Sequence, residues 1–153
     1  MELQAQGEPA SRSRALALAA WTLAAGLLGA GTARADIEVH VMNCSGTSIG
    51  VDTYDAKDHQ QSIPYSTKTV QSKATATLKC EGQGKGYCHT YIAMSPDQCT
   101  GSVTSGSAVI SGGSLEFNLD SGKWAVVTGG EIVKGSCTPV VQENLASAPA
   151  KCK

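Results

Sequence analysis

Tyr87-Cys88-His89-Thr90-Tyr91-Ile92-Ala93-Met94 is the stretch on which the reading of this chain turns. Its residues alternate. Cys88, Thr90, Ile92 and Met94 fall on one side of an extended chain, and Tyr87, His89, Tyr91 and Ala93 fall on the other. A period of two belongs to a β-strand, whose successive side chains point to opposite faces. Aromatic and β-branched residues suit such a pleated surface. Ser95-Pro96-Asp97 then stops the run, because proline has no donor for a ladder and its neighbours favour turns.

The same period recurs on both sides of this strand. Ile37, Val39 and Val41 alternate with Glu38 and His40, and Ile49, Val51 and Thr53 alternate with Gly50 and Asp52. The turn-forming Asn43-Cys44-Ser45-Gly46-Thr47 between them predicts a hairpin. Ile63-Pro64-Tyr65 belongs to an edge or a connection, and Thr75 to Cys80 is a further strand with Leu78 and Cys80 on one face. Ser114 to Leu119 alternates cleanly, Asp120-Ser121-Gly122 turns, and Lys123 to Thr128 returns, which predicts a second hairpin. Gly129-Gly130 leads to a short last strand, Glu131 to Lys134, and the tail from residue 138 to 153 is irregular or holds a short helix over Val140 to Ala148. After residue 35 no segment keeps an apolar period of 3.6, so the expected fold is all-β. It is an antiparallel β-sandwich or small barrel of about seven or eight short strands. Alternation nominates a core of Ile37, Val39, Val41, Ile49, Val51, Leu78, Ile92, Leu115, Phe117, Leu119, Trp124 and Val126.

The N-terminus has a different composition. Arg12 and Arg14 precede a 17-residue uncharged run, Ala15 to Gly31, and Ala33-Arg34-Ala35 supplies the small residues of a cleavage site. A membrane-spanning helix needs about 20 strongly apolar residues. This run is shorter, dominated by alanine and interrupted by Gly26, Gly29 and Gly31. The expectation is a signal helix over 1–35, cleaved after Ala35, and a single domain over 36–153, secreted or periplasmic, with no stable membrane insertion after cleavage. Removing 35 of the 153 residues leaves 118, a usual size for one domain. The nine lysines and eleven acidic residues that follow Ala35 sum to about −2, and no arginine is among them. That balance gives no electrostatic reason to expect a nucleic-acid partner, so none is expected, and the absence of arginine lowers the case for phosphate or nucleotide recognition.

All six cysteines (Cys44, Cys80, Cys88, Cys99, Cys137 and Cys152) follow the leader. An even number in an exported chain predicts disulfides, whereas zinc sites call for closer pairs with histidines at matching spacing. Local geometry suggests Cys80 with Cys88, stapling a hairpin around the glycine-rich Glu81 to Tyr87. Cys137 with Cys152 would then pin the tail, leaving Cys44 with Cys99.

Several patterns bear on chemistry. His40, Met42 and Cys44 share one strand face and resemble a copper ligand set, although oxidation of Cys44 would remove its thiolate. Asp52, Asp55 and Asp58 recur every third residue but lack the spacing of a helical calcium loop. Glu116, Asp120 and Glu131 are candidate carboxylates for a glycosidase, with nothing to mark them out. Gly82, Gly84 and Gly86 imitate a phosphate loop, yet no helix follows to hold the anion. No cofactor and no metal is expected. Tyr87, His89 and Tyr91 form a candidate binding face, and His59 lies in a polar loop with Asp55 and Asp58. The first functional expectation is a non-catalytic exported binding domain that shows loops and a strand face to a protein or glycan. The alternatives are a small secreted hydrolase using His59 or His89 with a carboxylate, and a periplasmic metal-handling protein.

Overall fold

The computed structural model describes residues 35–56, 63–102 and 109–153. The expected signal helix, up to Arg34, and the loop residues Asp58 and His59 lie outside the described residues. Among the described residues no helix is long and apolar enough to cross a membrane.

Eight strands form the fold: β1 (Asp36–Asn43), β2 (Ile49–Tyr54), β3 (Ser66–Val70), β4 (Thr75–Glu81), β5 (Tyr87–Met94), β6 (Ser111–Asp120), β7 (Trp124–Val133) and β8 (Ser136–Leu145). A 3-10 helix, Pro96–Ser102, starts the connection from β5 to β6. The strands follow the order β3-β2-β5-β6-β8-β7-β1-β4, and the outermost pair, β3 and β4, lie against each other. The result is a nearly closed, barrel-like all-β sheet. Inside it sit Val39, Val41, Ile49, Val51, Leu78, Ile92, Leu119, Ala125 and Val127, each at most 1 % exposed.

Several expectations are corrected. The sheet is not purely antiparallel, because β1 runs parallel to β7, and β6 runs parallel to β8 through two residue pairs. Neither expected hairpin forms. β1 pairs with β4 and β7 while β2 pairs with β3 and β5, so the turn at residues 44–48 carries the chain from one half of the sheet to the other. β6 and β7 likewise lie in different halves, and the turn after Asp120 reverses the chain into the other half without pairing the two strands. The strand proposed for Glu131 to Lys134 is the end of β7, which runs unbroken through Gly129 and Gly130. It turns at Lys134-Gly135, both with positive φ (49° and 80°), the backbone that a two-residue hairpin requires. The chain then returns as β8 over the segment expected to be irregular or helical.

The face of β7 is also corrected. Val41 points inward and registers with Ala125, so Ala125 and Val127 are the core residues, and Trp124 and Val126 face out. Val126 is nevertheless 2 % exposed, because it lies in the floor of a cavity roofed by Pro149, Lys151 and Lys153 of the tail.

The six cysteines form three disulfides, Cys80–Cys88, Cys44–Cys152 and Cys99–Cys137. The pairings of Cys137 with Cys152 and of Cys44 with Cys99 are therefore corrected. Cys99 lies on the 3-10 helix, and its bond ties that helix to the start of β8. Cys80–Cys88 spans a crossover, not a hairpin, since β4 and β5 share no ladder. On the chain-entropy view the 108-residue span of Cys44–Cys152 restricts the unfolded chain most, by about 5 kcal/mol. Three such bonds in a chain of this size fit an oxidising, extracellular setting.

Candidate functional site

β5 lies between β2 and β6, and its buried side (Cys88, Thr90, Ile92 and Met94) anchors it in the core. The other side carries Tyr87, His89 and Tyr91 in a row. Register decides their neighbours. Tyr54 of β2 lies opposite His89, and Asp52 opposite Tyr91. From β6, Asp120 faces Tyr87, Asn118 faces His89, and Glu116 faces Tyr91. The expected trio is therefore one row of a wider face.

The contacts across this face are specific. His89 Nδ1 lies 3.2 Å from Asn118 Oδ1, and Nε2 lies 3.4 Å from Glu116 Oε2. The imidazole is tilted toward the Tyr54 ring, with centroids 6.4 Å apart. Partial burial raises the Tyr54 phenol above its ordinary range, and the Asp52 carboxylate, Tyr91 and Glu116 push it the same way. The Asp52 side chain makes no hydrogen bond or ion pair among the described residues. Asn144 of β8 fixes the β6 margin, accepting from the Asp120 backbone N–H at 2.8 Å and donating to the Asn118 carbonyl at 3.1 Å. Lys68 is the one lysine in β2, β3, β5 and β6, and it registers with inward-facing Val51, away from this face.

The other sequence candidates lie apart. His40 stacks on Trp124 with centroids 4.8 Å apart, and its Nδ1 is 2.9 Å from Thr77 Oγ1. Met42 is buried, and Cys44 is bonded to Cys152 and so has no thiolate to offer. Among the described residues, no three His, Cys, Asp or Glu side chains are gathered as a metal would need. Asp55 accepts from the Glu81 N–H at 2.8 Å and from Gln83 Nε2 at 3.3 Å, which makes it a loop clasp. Glu116 and Asp120 share a face of β6, but Glu131 belongs to β7 in the other half of the sheet. The cavity of about 230 Å³ beneath the tail is lined by Cys44, Val126, Thr128, Gln142, Pro149, Lys151 and Lys153, with no histidine or carboxylate side chain among them.

The sequence nominates the β5 row but does not join Asp52, Tyr54, Glu116 or Asn118 to it. Each sits at a polar position of an alternating strand, which is a signal of outward direction. Which strands are neighbours is a long-range property that alternation does not carry. Compared with protein-family models, with curated proteins and with solved structures, the chain matches none.

Proposed function

We propose that the protein is an exported, non-catalytic binding domain that presents the β2–β5–β6 face to a protein or glycan partner. The observation that carries this is the Tyr87–His89–Tyr91 row flanked by Asp52, Tyr54, Glu116 and Asn118 on three hydrogen-bonded strands with a buried underside. Tyrosine offers a large contact area at little entropic cost and is enriched where binding energy concentrates. The leader up to Ala35 and the three disulfides support release into an oxidising space, secreted or periplasmic. We read the architecture as a sandwich of two four-stranded halves. The β6–β8 seam has only two residue pairs and β3–β4 has no ladder, whereas a barrel is hydrogen-bonded all round.

The hydrolase reading draws on the 3.4 Å contact of His89 with Glu116. A general base needs a substrate held against it, ordinarily in a concave site. His89 lies mid-strand on a sheet face with 15 % of its side-chain surface exposed, and the tyrosines on either side of it in β5 favour binding over catalysis. The two readings are separated by NMR of the oxidised protein with peptide and oligosaccharide probes, alongside assays on ester, peptide and glycoside substrates. Amide shifts confined to β2, β5 and β6, without turnover, are expected. Turnover that disappears in His89→Gln would replace this reading with the hydrolase.

A further inference from the structure

We infer that this face is a receptor for a cationic side chain of a basic peptide, lysine or arginine, held over the Tyr91 ring between Asp52 and Glu116. The inference rests on the binding role proposed above and narrows the partner to one chemistry. Asp52 and Glu116 register with Tyr91 from opposite sides, so their strands are two spacings, roughly 10 Å, apart. A guanidinium or ammonium group centred over the ring lies within reach of both carboxylates, and the ring face itself attracts a cation. Tyr54, diagonal to Tyr91, adds a second ring beside the same two carboxylates.

Charge favours this occupant over a neutral glycan or an acidic chain. Asp52, Glu116 and Asp120 all face this side, no lysine of the four strands does, and Asp52 is unpaired among the described residues. The motif also repeats. Tyr87 registers with Asp120, four residues along β5 from Tyr91, a distance of roughly 13 Å on a strand. An extended peptide lying along β5 would satisfy both places with two basic residues four positions apart.

The test uses the oxidised protein, isotopically labelled, at physiological salt. The probe is a short glycine- and serine-based peptide with two arginines four positions apart. Its controls are the same peptide with citrulline for arginine, which keeps shape and loses charge, its glutamate counterpart, and chitohexaose. The arginine peptide should shift amides of β2, β5 and β6. Asp52→Asn/Glu116→Gln should weaken it at least tenfold, while Glu38→Gln/Glu131→Gln, the same charge change elsewhere, should alter it less than twofold. The spectra of both variants report directly that the fold is kept. Equal binding of the citrulline peptide, or equal loss in both variants, overturns the cationic site. Shifts on this face with chitohexaose or the glutamate peptide alone also overturn it but leave the binding face standing. No perturbation by any probe removes both.

Discussion

Asn43 is fully buried at the end of β1, and all the bonds its amide makes are internal. Its Nδ2 donates to the carbonyls of Thr47 at 2.8 Å and Val70 at 2.9 Å. Its Oδ1 accepts from the Ser45 N–H at 2.9 Å and the Ser45 hydroxyl at 2.6 Å. One side chain thus holds the first crossover in shape and ties it to the end of β3. Asn43-Cys44-Ser45 has the form of a glycosylation acceptor, yet the nitrogen that would carry the sugar is already committed in the folded protein. Asn43→Ala leaves the Val70 carbonyl without this donor in a dry site, and the expected loss is about 2–4 kcal/mol by denaturant unfolding. The sequence marks Asn43 as a turn residue, whereas it is the last residue of β1 and shapes the following turn through its side chain. Val70 lies 27 positions away, so the tie that makes it structural has no local signature.

At the scale of the elements, alternation identified most inward faces, because burial on one side of a strand imposes a period of two. On β7 it points the wrong way: alternation nominates the larger Trp124, whereas the parallel register with β1 turns Ala125 inward. Local turn signals mark where the chain bends and not where it goes. Gly, Ser and Asp serve the crossovers after β1 and β6 as readily as a hairpin. The true β7–β8 hairpin was hidden because lysine, not Asn or Asp, fills the first positive-φ position. The strand reading through Gly129 and Gly130 makes a paired prediction. A Cβ on Gly130 would come 2.6 Å from Met94 Sδ, 2.9 Å from Cys137 Sγ and 3.0 Å from Cys99 Sγ, whereas at Gly129 it meets nothing within 4 Å. Gly130→Ala should cost about 1–3 kcal/mol and Gly129→Ala should stay within about 0.5 kcal/mol, read from thermal or denaturant melts.

For the molecule as a whole, composition and spacing made the all-β class and the disulfides legible, while connectivity was legible only where it was local. Cys80 and Cys88 are 8 residues apart, whereas Cys44 and Cys152 are 108 apart and meet only once β1 and β8 have paired on either side of β7. The proposed binding face has the same character: its central row is contiguous in β5, and its flanks come from β2 and β6. The long bond also constrains biogenesis. Of the six cysteines, Cys44 is the first to emerge from a ribosome or a translocation pore, and its partner Cys152 is the last. An oxidant that joins thiols in order of appearance would link Cys44 to Cys80 and strand the remainder in wrong pairs. Correct oxidation must wait for the whole domain or pass through exchange. Refolding the reduced protein with a one-way oxidant should yield mainly mispaired species by peptide mapping, and a glutathione redox buffer or an isomerase should convert them to the native set. Native pairing in good yield without exchange would show that the sheet closes before any sulfur is oxidised, making the 108-residue bond a seal on a finished fold rather than a guide to it.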